Sequence, residues 1–168
     1  MRLIGLDPGL RHTGWGVIEA EGSHLRYVAC GAVDSDAADS LPERLATLYE
    51  GLVAVFRSWN PRHAAVEETV VNRNAGSSLK LGHARGVVLL AAAHAGLAVA
   101  EYGAKRVKRS VTGTGAAEKE QVAAMVRILL GRDLVASADA TDALAVAICH
   151  AHHLGTNQRI ALAIGAGR

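Results

Sequence analysis

A mixed α/β sheet of five strands, with helices on both faces, is the fold this sequence predicts. Three observations carry it. Short apolar segments follow one another closely through the first 33 residues, with turns too short for a crossover helix. From residue 41 onward helical and strand-like segments alternate, which calls for parallel additions to the same sheet. Neither an internal repeat nor a low-complexity linker interrupts that order.

The first strand is Arg2-Leu3-Ile4-Gly5-Leu6-Asp7, an apolar run that ends on a carboxylate before Pro8-Gly9 turns the chain. Residues 13–18 return as the second strand of a hairpin, and residues 25–33 make a third strand. Ser40 can cap a helix with Pro42 in its first turn and Glu43 placed for a capping box. Leu41, Leu45, Leu48, Leu52, Val55 and Phe56 follow at helical spacing until Asn60-Pro61 ends the helix. Residues 63–67 form a strand that again ends on acid, at Glu67.

Residues 72–78 are small and polar and predict a loop; 79–95 predict a Gly- and Ala-rich helix that a second helix can approach closely. A strand at 97–101, a short basic helix at 102–111, a Gly-Thr loop at 112–115 and a helix at 117–130 come next. Ser137 caps the last helix, 138–153, which is apolar around much of its girth and therefore packs on the sheet. Residues 155–168 carry no strong pattern and read as a flexible tail.

With 168 residues the chain is long enough for one well-filled core. Its 18 Lys and Arg against 16 Asp and Glu argue little by their sum. Their distribution argues more. Between residues 73 and 119 the basic residues are Arg73, Lys80, Arg85, Lys105, Arg106, Lys108, Arg109 and Lys119, against Glu101 and Glu118. That field suits a phosphate backbone, although a solvated basic face is the plainer reading of one such cluster. Cys30 and Cys149 fit neither zinc nor redox spacing, so no structural disulfide is expected. A leader segment and a membrane-spanning run are both absent from the pattern, and a cytoplasmic location is expected.

Chemistry concentrates in four acids. Asp7 and Glu67 each end a strand, and Asp139 and Asp142 lie three apart near the start of the last helix, on one face. Each has an ordinary explanation: Asp before Pro-Gly starts turns, and Asp in a first helical turn suits the helix dipole. Together they suit a hard divalent cation such as Mg²⁺ or Mn²⁺, since clustered carboxylates repel unless a cation or protons compensate. If they converge, they can hold two cations ~4 Å apart, the arrangement used for in-line attack at phosphate. Glu68 is expected on the opposite face of its strand. His150, His152 and His153 read as surface or capping residues late on the last helix.

The segment from Gly5 to Gly16, Gly-Leu-Asp-Pro-Gly-Leu-Arg-His-Thr-Gly-Trp-Gly, resembles the opening motif of the RuvC Holliday-junction resolvases. Ala65-Val66-Glu67-Glu68 is similar to their second acidic motif. Lys80-Leu81-Gly82-His83-Ala84-Arg85-Gly86 resembles the start of their dimer-forming helix. Val107-Lys108, residues 115–119 and residues 138–145 match further motifs in the same order, so the resemblance runs from Met1 to about His153.

The resemblance implies a ribonuclease-H-like nuclease domain at 1–154 and a tail at 155–168. It also implies a homodimeric, Mg²⁺- or Mn²⁺-dependent crossover junction endodeoxyribonuclease with two cations per site. Asp7, Glu67, Asp139 and Asp142 would hold the metals, and Lys108 and Lys119 would meet the reacting phosphate. Arg73, Asn74, Lys80, Arg85, Lys105, Arg106 and Arg109 would join them along the DNA. Paired symmetric nicks leaving 5′-phosphate and 3′-hydroxyl ends would resolve four-way junctions in recombination and repair, beside a branch-migration helicase complex.

One position departs from the family. Val70 stands where an aromatic residue commonly wedges against a base. Three other readings fit the residues less well, the last of them within the nuclease class. An actin-like ATP-binding or sugar-kinase-type protein also opens with such a strand and turn, but it needs a second domain to close its cleft. A non-catalytic junction binder would gain nothing from four acids beside DNA phosphate. A resolvase-like RNA-processing enzyme fits the dimer-helix and basic-loop matches less well.

Overall fold

The computed structural model describes residues 1–68 and 75–165, the last stretch from 157 by its backbone alone. Three antiparallel strands open the chain: β1 (Arg2–Asp7), β2 (His12–Glu21) and β3 (His24–Asp34). Helix α1 (Leu41–Trp59) leads to β4 (His63–Glu68), which pairs parallel with β1. Helix α2 (Ala75–His94) leads to β5 (Ala98–Gly103), parallel to β4. The sheet order is β3-β2-β1-β4-β5, with β1 at its centre. Helices α3 (Ala104–Thr112), α4 (Lys119–Leu130) and α5 (Ala138–Gly165) complete the fold.

Strand alternation divides the core into two layers. Ile4, Leu6, Val17, Ala64 and Val66 face α1 and α2, where Leu52, Phe56, Val88, Ala91 and Ala92 meet them. Leu3, Ile18, Ala65 and Tyr102 face α5, and α3 and α4 close over its outer side through Val107, Val111, Val122 and Val126. A helix covered on both sides must be apolar all round, and Leu144 through Cys149 are buried without a break.

Two glycines let α5 lie directly on the strands. A Cβ at Gly5 would come within 2.6 Å of the Ala147 nitrogen, and one at Gly14 within 2.5 Å of the Asp139 carbonyl carbon. The register pairs Asp7 with Gly14, so the gap that admits the start of α5 opens beside Asp7.

The predicted strands and helices are all present, with shifted ends. Residues 75–78, expected in a loop, form the first turn of α2, since extending a helix that has already formed costs little; residues 72–74 lie outside the described residues. Tyr102 and Gly103, assigned to a helix by their basic context, continue β5 because Glu67 and Glu68 of β4 pair with them. The last helix does not stop at His153. It runs to Gly165, and Thr156 Oγ1 donates to His152 O, one turn back, at 2.9 Å. Cys30 and Cys149 are free thiols, and among the described residues no helix is long and apolar enough to cross a membrane.

Candidate active site

The turn after β1 is braced from behind. Thr13, wholly buried, donates its hydroxyl to Gly9 O at 2.8 Å and receives Gly9 N–H at 3.4 Å. Ser35 donates to Leu10 O at 2.5 Å and receives Arg44 Nε–H at 3.0 Å. Asp7 therefore stands at the end of β1, before a fixed turn. Parallel pairing sets Leu6 beside Val66, so Asp7 and Glu67, one residue further along each strand, end side by side on the face that α5 covers.

Asp7, Glu67, Asp142, Lys108 and Lys119 line one cleft of about 580 Å³, floored by Leu81, Val107, Val122 and Ala145. Asp139, a turn before Asp142, adds its charge at Asp7. Lys119 Nζ donates to Asp142 Oδ2 at 3.0 Å. The ionisation of Asp7 is pushed up to about 7, by burial first and then by Glu67, Asp142 and Asp139, with Lys119 opposing. Burial and Asp142 likewise raise Glu67, while Lys119 and Lys108 pull it down. Lys119 is itself raised, chiefly by its hydrogen bond to Asp142.

This donor set fits a hard divalent cation. All its ligating atoms are carboxylate oxygens, and the burial and carboxylate repulsion that raise Asp7 are what a cation would offset. Among the described residues no three His, Cys, Asp or Glu side chains already close round a single point. Asp7, Glu67 and Asp142 face one space, with the Lys119 ammonium at Asp142 there, while Asp139 is outside the lining and acts on Asp7 through its charge.

The other sequence candidates are placed differently. Arg85 pairs with Glu101, and Arg106 lies over the Tyr102 ring with its Nε–H directed at His153 Nε2, 3.1 Å away. Both therefore stand outside the cleft lining. Lys80, Lys105 and Arg109 are exposed on α2 and α3. Val70, Arg73 and Asn74 lie outside the described residues.

One expectation needs extension and one correction. Glu68 also lines the cleft, although its carboxylate lies beside Gly103, its partner in the β4–β5 ladder, on the side where alternation puts it. His150 is not on the surface: it is 4% exposed, with Nδ1 2.8 Å from the Tyr102 hydroxyl and Nε2 3.4 Å from His63 Nδ1. It belongs to the start of β4, whereas the acids stand at the end, so it is no member of the acid cluster. Its burial follows from its place on the side of α5 that meets β4 and β5, a contact that helical periodicity cannot reveal.

Comparison with known proteins agrees with this geometry. The family model described as crossover junction endodeoxyribonuclease RuvC matches residues 3–150. The protein of that name from Acidiphilium cryptum is 63% identical over 159 residues, covering 95% of either chain. That from Paramagnetospirillum magneticum is 59% identical over 98% of this chain and 99% of its own. Among solved structures, Thermus thermophilus RuvC in complex with Holliday junction substrate superposes with a TM-score of 0.87. It is 34% identical and is matched over 94% of this chain and 96% of its own. The yeast mitochondrial Holliday junction resolvase shares the fold at 10% identity and a TM-score of 0.66. A five-stranded mixed sheet with acids at the ends of β1 and β4 and on α5, matched along nearly its whole length, places this chain in the RuvC family of crossover junction endodeoxyribonucleases.

Proposed function

We propose that the acid cleft is the catalytic centre of a structure-selective endonuclease that hydrolyses phosphodiester bonds at four-way DNA junctions. The observation that carries this reading is the buried Asp7 carboxyl, crowded by three acids in a cleft that also holds two lysines. Asp7, Glu67, Asp139 and Asp142 would hold Mg²⁺ or Mn²⁺, two per site, which when bound supply charge neutralisation and an activated water. The relative bound to Holliday junction substrate supports the choice of DNA.

The chain's own contribution is position. Asp7 and Glu67 stand on adjacent strands of one sheet, so neither swings to meet the reacting phosphate. Lys119, held at Asp142 without DNA, turns to the incoming phosphate, and Lys108 faces the same space from α3. Lys80, Lys105 and Arg109 extend the positive track outside the cleft. Arg73 and Asn74 would continue it, with Val70 as an aliphatic wedge.

The described residues of one chain form one such cleft, whereas resolution needs two symmetric cuts. A homodimer supplies both under one two-fold axis. The apolar side chains of Leu79 and Leu90, 63% and 49% exposed on α2, support that helix as the dimer face. A branch-migration helicase would work beside the dimer.

A labelled synthetic four-way junction with Mg²⁺ or Mn²⁺ tests the reading. Wild-type protein should give paired nicks with 5′-phosphate and 3′-hydroxyl ends. Asp7→Asn should bind the junction without cutting it. Cutting that survives Asp7→Asn would remove the cleft from the chemistry.

A further inference from the structure

Beneath the acid cleft lies a second polar cluster that the reaction does not use. His150 of α5 is buried between the Tyr102 hydroxyl of β5 and His63 Nδ1 of β4. The Tyr102 ring stacks on His153 at 5.2 Å, and Arg106 covers it. Polar groups are rare in this layer of the core, where α5 otherwise meets the sheet through apolar side chains that can slide past one another.

We infer that the Tyr102–His150–His63 contact is the register pin of α5, and that it positions Asp139 and Asp142 against Glu67. The inference rests on the catalytic reading of the cleft. From His150 back to Asp142 (residues 150 to 142) is ~12 Å of helix at 1.5 Å per residue. From His63 forward to Glu67 (residues 63 to 67) is ~13 Å of strand at 3.3 Å per residue. The two arms start at one contact, run the same way and end at one cleft. Their equal length brings the helix acids level with the strand acid.

The third partner adds direction. Tyr102 is the register neighbour of Glu67 itself, and its side chain leads from the strand end towards His150. A neutral imidazole has one N–H and one lone pair, so His150 donates to one neighbour and accepts from the other. Burial, with His63 and His153 beside it, pushes His150 down to about 4, which keeps the ring in that neutral form. Apolar contacts tolerate a shift of α5 along the sheet. Two hydrogen bonds of opposite sense on one buried ring do not. Tyr102, His150 and His63 are positioning residues, since none of them lines the cleft.

Tyr102→Phe tests this with the ring kept and only the hydroxyl lost; His150→Phe removes both bonds. Mn²⁺ binding to the full chain without DNA is followed by electron paramagnetic resonance of the free ion. Nicking of a saturating junction is measured across the same Mn²⁺ range. Loss of one net hydrogen bond should raise the half-saturating Mn²⁺ about fivefold in both assays, with junction affinity within about twofold of wild type. The double variant should be no worse than His150→Phe, because the two changes break one contact. An unchanged Mn²⁺ half-saturation in Tyr102→Phe, even with a lowered melting temperature, means a purely structural contact and overturns the inference. If wild type binds Mn²⁺ and nicks while Asp7→Asn does neither, that overturning leaves the catalytic reading standing. A wild type that neither binds Mn²⁺ nor nicks removes both.

Discussion

A carboxyl that keeps its proton up to about pH 7 opposes folding once it ionises, unless a cation is bound. Asp7 is such a group, raised from an ordinary 3.8 by burial and by three acidic neighbours. Between about pH 4 and 7 the folded chain holds this proton and the unfolded chain has lost it. Stability from this group therefore falls as pH rises through that window and is flat above it, by at most about 4 kcal/mol. Asp7→Asn should accordingly melt above wild type at pH 8 with chelator present, and the difference should close near pH 4. Thermal melts of the two proteins at both pH values check it; equal differences would mean that Asp7 is not strained. Lys119→Ala loses a charge-assisted contact in the cleft, and its single-turnover nicking should fall about 10- to 100-fold with folding unaltered.

At the scale of elements the site depends on how closely α5 approaches β1 and β2. Gly14→Ala places a methyl group against the Asp139 backbone, and the helix start must lift. Overpacking of that kind costs about 1–3 kcal/mol. Its particular signature is that the melting temperature and the nicking rate fall together. Ser137 Oγ accepts the Ala140 N–H at 3.2 Å at the start of the same helix. Ser137→Ala should lower stability by about 1 kcal/mol, measured by urea unfolding.

Across the whole molecule, the proposed paired cuts call for two acid clefts, and the described residues of one chain form one. Analytical ultracentrifugation should find about twice the 17.5 kDa of a single chain. Charged substitutions at Leu79 and Leu90 should return it to one chain and uncouple the two nicks. Junction affinity should fall steeply and log-linearly with salt as the lysines and arginines displace counterions. Affinity that is flat across a salt titration would contradict a backbone track along α2 and α3.

Much of this protein was legible in its residues. Apolar runs, Pro8-Gly9 and Asn60-Pro61 mark the strands and the end of α1, since turn and helix-stop chemistry act over neighbouring residues. Asp7 and Glu67 stood out because each ends an apolar strand, and Asp139 and Asp142 because helical spacing puts them on one face. That Asp7, Glu67 and Asp142 share a cleft, with the charge of Asp139 felt at Asp7, depends on parallel pairing of β1 with β4 and on the path of α5, both contacts between residues far apart in sequence. The same holds for the burial of His150, for Arg106 resting on Tyr102, and for Arg85 on Glu101. Local chemistry determined the elements and named the acids. Only packing decided which side chains meet, because the desolvation and pairing that shift a charge exist nowhere along an extended chain.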